Sequence, residues 1–152
     1  MRVWRISKAK YAHSAFSGEG ARLFDARWNF AGTPMVYTSS SLALAAIEYF
    51  AHLDPSEAPT GLVSLMAEVP DDLTAERVEI AQLPHDWRRT DNNVLQQFGT
   101  DWAKSQRSVA LLVPSAAVEG EWNVLFNPGH PEFRKVHIGE PRPFHYDERM
   151  FK

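Results

Sequence analysis

Residues 24–50 read FDARWNFAGTPMVYTSSSLALAAIEYF, and the rest of the chain is organised around this stretch. It holds Arg27 in a turn-prone loop, a short apolar strand ending in Tyr37, and a helix capped by the serines at positions 39–41. From residue 42 to residue 51 every side chain is apolar or aromatic except Glu48. An uncompensated carboxylate in apolar surroundings costs several kcal/mol, roughly, so Glu48 must be paired, hydrogen-bonded or open to a cavity. Two readings of Arg27 and Glu48 stand at this level: a structural ion pair tying the loop to the helix, or two charges facing one cleft.

Composition narrows the classes of function. The 152 residues fit one domain over 1–152, and 44% apolar with 23% charged side chains is ordinary for a globular chain. A net charge of −3 gives no general attraction to nucleic acid or an anionic membrane, so any phosphate must be held by individual arginines. Cysteine is absent, which excludes disulfides and thiolate metal sites and is compatible with a reducing compartment. The opening MRVWRISKAK lacks an apolar core of signal-peptide length, and the longest apolar run is six residues, 42–47. A cytoplasmic chain with no membrane span is expected.

Taken in order, Val3, Trp4 and Ile6 surround Arg5 in an opening strand. Alternation sets Arg5 opposite Trp4, either toward solvent beside Arg2 and Lys8 or inward. Residues 8–20 read as irregular or briefly helical. Gly18 and Gly20 do not make a dinucleotide fingerprint, because Leu23 stands where the third glycine would fall, and no glycine-lysine phosphate loop occurs. The helix carrying Glu48 is expected to run to about Leu53 and stop at Asp54-Pro55, with residues 54–61 (DPSEAPTG) leading to the next strand. Residues 62–69 alternate, with Val63, Leu65, Ala67 and Val69 on one face. A short strand is expected at 77–80, then a loop at 84–90 (PHDWRRT) with two arginines in a solvated patch or partner surface.

Val94, Leu95, Phe98 and Trp102 predict a helix over 92–104, weakened or broken at Gly99. Residues 109–113 (VALLV) are the strongest buried-strand signal and end at Pro114-Ser115, where the serine is either a turn residue or presents its hydroxyl to a cleft. A strand over 121–126 runs into an Asn127-Pro128 turn, and 136–138 and 144–146 close the chain as strands. The six histidines are dispersed without metal-ligand spacing, and no GxSxG elbow surrounds Ser115, so no metal site and no serine hydrolase are expected.

The pieces that recur in one order are Trp4-Arg5-Ile6, Gly18-Glu19-Gly20-Ala21, Arg27-Trp28-Asn29, Gly32-Thr33-Pro34, Val36-Tyr37 and Glu48. Val113-Pro114-Ser115, the run EWNVLFNP at 121–128 and His130-Pro131 complete the set. In this order the chain resembles the RES-domain family, the toxin half of RES-Xre toxin–antitoxin systems, named for an arginine, a glutamate and a serine. One departure is Asp25-Ala26 before Arg27-Trp28, where the family commonly has two glycines.

The resemblance implies an α+β fold: a split, twisted mixed or antiparallel sheet with flanking helices, similar to the ADP-ribosyltransferases. It implies a toxin that cleaves the nicotinamide–ribose bond of NAD+, as a glycohydrolase or a phosphorylase. The alternatives are transfer of ADP-ribose to one cellular protein, or a catalytically silent module that only pairs with its antitoxin. NAD+ is then substrate rather than prosthetic group. The implied partner is an Xre-like helix-turn-helix antitoxin, through which alone nucleic acid is met. Leaving of nicotinamide develops oxocarbenium character on ribose, so a carboxylate beside the sugar is the main requirement, and Glu48 suits it. Arg27 and Tyr37 complete the implied catalytic set. Arg5 and Arg27 are assigned to the diphosphate and Tyr37 to stacking on nicotinamide. Ser115 and Asn127 hydrogen-bond the ribose or the nicotinamide amide, or else brace Glu48 and Arg27.

Overall fold

The computed structural model describes residues 1–54, 56, 59–89 and 91–151. Pro55, Glu57, Ala58, Thr90 and Lys152 lie outside the described residues, and with them the proline stop after Asp54 and parts of the 54–61 and 84–90 loops. In chain order the elements are β1 (Arg2–Lys8), α1 (Glu19–Leu23), β2 (Val36–Ser39), α2 (Leu42–Ala51), β3 (Leu62–Glu68) and β4 (Ala75–Arg77). There follow α3 (Asn93–Ser105), β5 (Ala110–Pro114), β6 (Trp122–Phe126), β7 (His137–Ile138) and β8 (Arg142–Phe144). The strands form one mixed sheet in the order β4-β5-β6-β2-β1-β3-β7, and β8 also pairs with β3. β4 runs parallel to β5 across the α3 connection; the other described pairs are antiparallel. The architecture is α+β, as the sequence implied.

The sheet is split at its middle. β1 pairs with β3 from Arg2↔Glu68 to Lys8↔Leu62, and β2 pairs with β6 from Val36↔Phe126 to Ser39↔Asn123. Between β1 and β2, only Trp4↔Ser39 is in register. Beyond that pair the ladder stops, and Arg5 reaches across the gap to donate from Nη1 to the Tyr37 carbonyl at 2.9 Å.

Cross-strand partners share a face, so Trp4, Ser39, Tyr37, Asn123, Leu125, Leu111 and Val113 line one side of the sheet. On that side Leu95 and Trp102 of α3 pack with Trp28, Met35, Leu111, Val113 and Leu125, while Ala45 of α2 packs with Ile6 and Leu62. The opposite side buries Val3, Phe16, Val36, Leu65, Ala67, Val124 and Phe126. Two helices on one face with a split between them leave an opening that neither covers.

Several expectations shift. α2 is capped by Ser41, whose Oγ accepts from the Leu44 N–H at 3.0 Å. It buries only Leu44 and Ala45, while Leu42, Ile47 and Phe50 are each more than one-third exposed. The apolar run of α2 therefore does not surround Glu48 with apolar contacts, because much of it faces outward. α3 continues through Gly99 without a break: a Cβ there would lie 1.9 Å from the Trp28 carbonyl oxygen, so the glycine lets the 24–30 loop lie against the helix. β4 falls earlier than 77–80, its register set by parallel pairing of Ala75–Arg77 with β5. β8 also falls earlier than 144–146; Tyr146 instead turns onto α2 and donates to the Ala46 carbonyl at 2.5 Å. Among the described residues no helix is long and apolar enough to cross a membrane.

Candidate active site

A cavity of about 310 Å³ opens over the split, walled by α2, by β1 and β2, and by the chain between α1 and Trp28. Trp4, Arg5, Arg27, Tyr37, Glu48 and Asn123 are among its lining residues. Its volume lies at the small end of the range of about 300–1,000 Å³ in which ligand clefts fall.

Glu48 reaches this cavity from the inner face of α2 and is held there by two strands. Ser115, at the end of β5, donates from Oγ to Glu48 Oε1 at 2.6 Å, and Asn123 on β6 donates from Nδ2 to the same oxygen at 2.8 Å. Each donor is itself fixed. The Ser115 oxygen accepts the N–H groups of Ala117 at 3.1 Å and Val118 at 3.0 Å, which commits its proton to the carboxylate. Asn123 Oδ1 accepts from Ser39 Oγ at 2.8 Å, which turns its amide N–H₂ toward Glu48. Both bonds fall on Oε1, and Oε2 takes none from the described residues. One oxygen is thus anchored and the other left for a ligand.

The two arginines behave differently. Arg27 donates from Nη1 to the carbonyls of Trp87 at 3.2 Å, Arg88 at 3.1 Å and Arg89 at 3.0 Å, which ties the 84–89 loop to the cavity wall. Burial lowers its pKa, against the opposing fields of Glu48 and Tyr37. Arg5 is the more deeply buried, and burial again lowers its pKa, opposed by the fields of Tyr49 and Tyr37. Its Nε is buried without a hydrogen-bond partner. Neither arginine takes part in an ion pair among the described residues. Two guanidiniums without carboxylate partners in one cleft favour an anionic ligand, since an arginine keeps its charge at any ordinary pH.

Tyr37 presents its ring to the cavity and anchors its hydroxyl behind, donating to Asn29 Oδ1 at 2.7 Å and accepting from the Trp28 N–H at 3.0 Å. Burial raises the phenol pKa well above the usual range, so the group stays neutral. Asn29 is fully buried and donates from Nδ2 to the carbonyls of Ala21 at 2.9 Å, Phe24 at 3.1 Å and Phe30 at 3.2 Å, so it organises the whole arginine loop. Asp25 braces the same loop by accepting the Ala31 N–H at 2.7 Å, and Gln96 of α3 donates to the Ala26 carbonyl at 3.1 Å. The carboxylate that replaces a family glycine is therefore used by the loop backbone.

Of the residues singled out from sequence, Arg5, Arg27, Tyr37 and Glu48 all line the cavity. Ser115 lies behind its wall, 2% exposed, and reaches it only through Glu48. Asn127 stands apart: its amide donates to the Ala103 carbonyl at 2.8 Å and its Oδ1 accepts from the Gly129 N–H at 2.9 Å, joining β6 to α3. Its place in the turn after β6, four residues beyond Asn123, puts it under α3 rather than beside α2. Sequence reasoning gave no role to Asn123 and took Ser39 only as a candidate helix cap; together they complete the carboxylate's support. The signal lay in alternation along residues 122–126, which places Asn123 on the Leu125 face.

A part-buried acid held on one oxygen, and two guanidiniums with no ion-pair partner among the described residues, line the split of a mixed sheet in an α+β protein. A family model described as the RES domain matches residues 2–147, and the chain belongs to that family. A Prs ADP-ribosylating toxin of Sphingobium sp. (strain YBL2) is 38% identical over 154 residues, covering 98% of this chain and 96% of that protein. Toxin Res of Photorhabdus laumondii is 33% identical over 154 residues, covering 100% of this chain and 98% of that one. Among solved structures, a chain in the crystal structure of the M. tuberculosis MbcT-MbcA toxin-antitoxin complex superposes with a TM-score of 0.72. It covers 95% of this chain and 84% of its own, and at 19% identity the likeness is one of fold.

Proposed function

We propose that this RES-domain chain is the toxin of a toxin–antitoxin pair and that it cleaves the nicotinamide–ribose bond of NAD+, draining the cofactor and arresting growth. The observation that carries the reading is Glu48, fixed through Oε1 and open at Oε2, in a cavity that also holds Arg5 and Arg27 without carboxylate partners. In the bound substrate, Arg5 and Arg27 take the diphosphate and the Tyr37 ring packs on nicotinamide. Glu48 faces the ribose, where its free oxygen holds a hydroxyl and stabilises the positive charge that develops at C1′. Nicotinamide leaves neutral, so no acid is required to expel it. Ser115 and Asn123 keep the carboxylate in one orientation, and Asn127 supports the wall from behind. No prosthetic group or metal enters this scheme. The proposed partner is a small helix-turn-helix antitoxin, and the site of action is the cytoplasm, where NAD+ is abundant.

Purified protein free of antitoxin should release nicotinamide from NAD+, and Glu48→Gln should lower that rate by about 100-fold or more. Equal rates for the two would remove Glu48 from catalysis. A second reading, transfer of ADP-ribose to a specific protein, is favoured by the name of the Sphingobium relative, a Prs ADP-ribosylating toxin. NAD+ labelled in its adenosine moiety separates the outcomes: free ADP-ribose marks hydrolysis, a phosphorylated ADP-ribose marks phosphorolysis, and labelled protein marks transfer.

A further inference from the structure

His52 follows Glu48 by one helical turn and ends α2 as its C-terminal cap residue. Its Nδ1 lies 2.8 Å from the Glu48 carbonyl oxygen. A carbonyl only accepts, so Nδ1 carries a proton in that contact, and the neutral ring then holds its lone pair on Nε2. Residues at i and i+4 of a helix share a face, with Cβ atoms about 5–6 Å apart. The imidazole therefore lies on the same side of α2 as the carboxylate.

His52 also stands between two cavities. It lines the cavity that contains Glu48 and a second one of about 420 Å³, bounded by Lys8, Asp54 and Thr60 among others. Tyr49 and His52 are the residues common to both linings. The second cavity adjoins the first at these two residues.

We infer that His52 Nε2 is the general base for the acceptor of ADP-ribose, and that the acceptor is a neutral O–H group, of water or of a protein hydroxyl, entering through the second cavity. The inference rests on the reading of NAD+ as substrate. The C1′–N bond breaks with its electron pair going to nicotinamide, which leaves uncharged. The acceptor oxygen bonds to C1′, its proton passes to Nε2, and the imidazolium returns that proton to solvent. Glu48 remains ionised throughout. A phosphate dianion would need no such base.

Among the described residues, Lys8 from β1, Tyr49 from α2 and Asp54 beyond it are the other titratable groups around the second cavity. Arg5, Glu19, Asp25, Arg27, Tyr37 and Glu48 are those lining the first cavity with His52.

The test is nicotinamide release from pH 5 to 9 by wild type, His52→Ala and His52→Gln, the glutamine keeping a donor for the Glu48 carbonyl. Wild-type turnover should fall on the acid side, as the base takes up a proton. Both variants should lose about 100-fold in turnover and lose that limb, bind NAD+ as wild type does by calorimetry, and, for His52→Ala, regain rate on addition of imidazole. A role confined to ending α2 would lower thermal stability, keep the limb and give no rescue. Variants that retain wild-type turnover or the acid limb overturn the assignment. Labelled product distinguishes water (free ADP-ribose) from a protein hydroxyl (labelled protein), and a phosphorylated product overturns the O–H acceptor. Wild-type protein that releases no nicotinamide overturns the NAD+ reading itself, and this inference with it.

Discussion

Ser115 and Glu48 lie 67 positions apart in the chain and share a 2.6 Å hydrogen bond in which the serine donates. The bond joins the end of a central strand to the middle of a surface helix. Because the serine oxygen also accepts two backbone N–H groups, the residue orients the acid and closes the turn after β5 at once.

Replacing Ser115 by alanine should therefore do two separable things. Two part-buried N–H groups lose their acceptor, which should cost about 1 kcal/mol of stability in a denaturant titration. Turnover should fall while NAD+ affinity holds near wild type, because Asn123 still grips the carboxylate from one side. Loss of affinity with unchanged turnover would place Ser115 on the substrate rather than behind Glu48.

Arg27 links the cavity to the 84–89 loop through three carbonyls. Arg27→Ala should free that loop and weaken NAD+ binding by about 10- to 100-fold, the scale of losing a charged hydrogen-bond partner. Limited proteolysis should show new cleavage near Arg88 and Arg89, and calorimetry should show the lost affinity. A variant with wild-type affinity would remove the guanidinium from the phosphate site.

Gly99→Ala offers a prediction whose sign is opposite to the helix-propensity rule. In an open helix interior the change would stabilise by up to about 1 kcal/mol. Here the added Cβ would meet the Trp28 carbonyl at 1.9 Å, so the 24–30 loop must shift. The protein should lose about 3 kcal/mol, the cost of overpacking against backbone, and melt at lower temperature.

Burial pushes the Tyr146 phenol up to about 12, above its ordinary value of 10. A raised folded-state value means that the neutral form favours the native state. The stability it contributes is complete below about pH 10, and is lost as pH rises from there toward 12 and the folded-state group itself ionises. Tyr37, raised further by burial, acts in the same direction. Melting temperature should therefore fall steeply above about pH 10, and Tyr146→Phe should flatten that slope while removing the bond to the Ala46 carbonyl.

The linear code determined much of this protein. Alternation and capping residues identified β3, β5, β6 and the helices α2 and α3 from local physics alone, since period and termination are properties of neighbouring residues. One acid in an apolar helix and an arginine in the loop before it left two readings open, a structural pair or a shared cleft. What the sequence could not carry was adjacency. That β1 and β2 touch at a single register pair, so that Arg5 fills a gap instead of facing water, follows from strand order across 35 positions of separation between Trp4 and Ser39. The separate placements of Asn123 beside Glu48 and Asn127 beneath α3 depend on which helix covers which end of β6, a fact of packing with no local signature. The residues chose the charges and the periods; only burial of both sheet faces decided which of those charges meet.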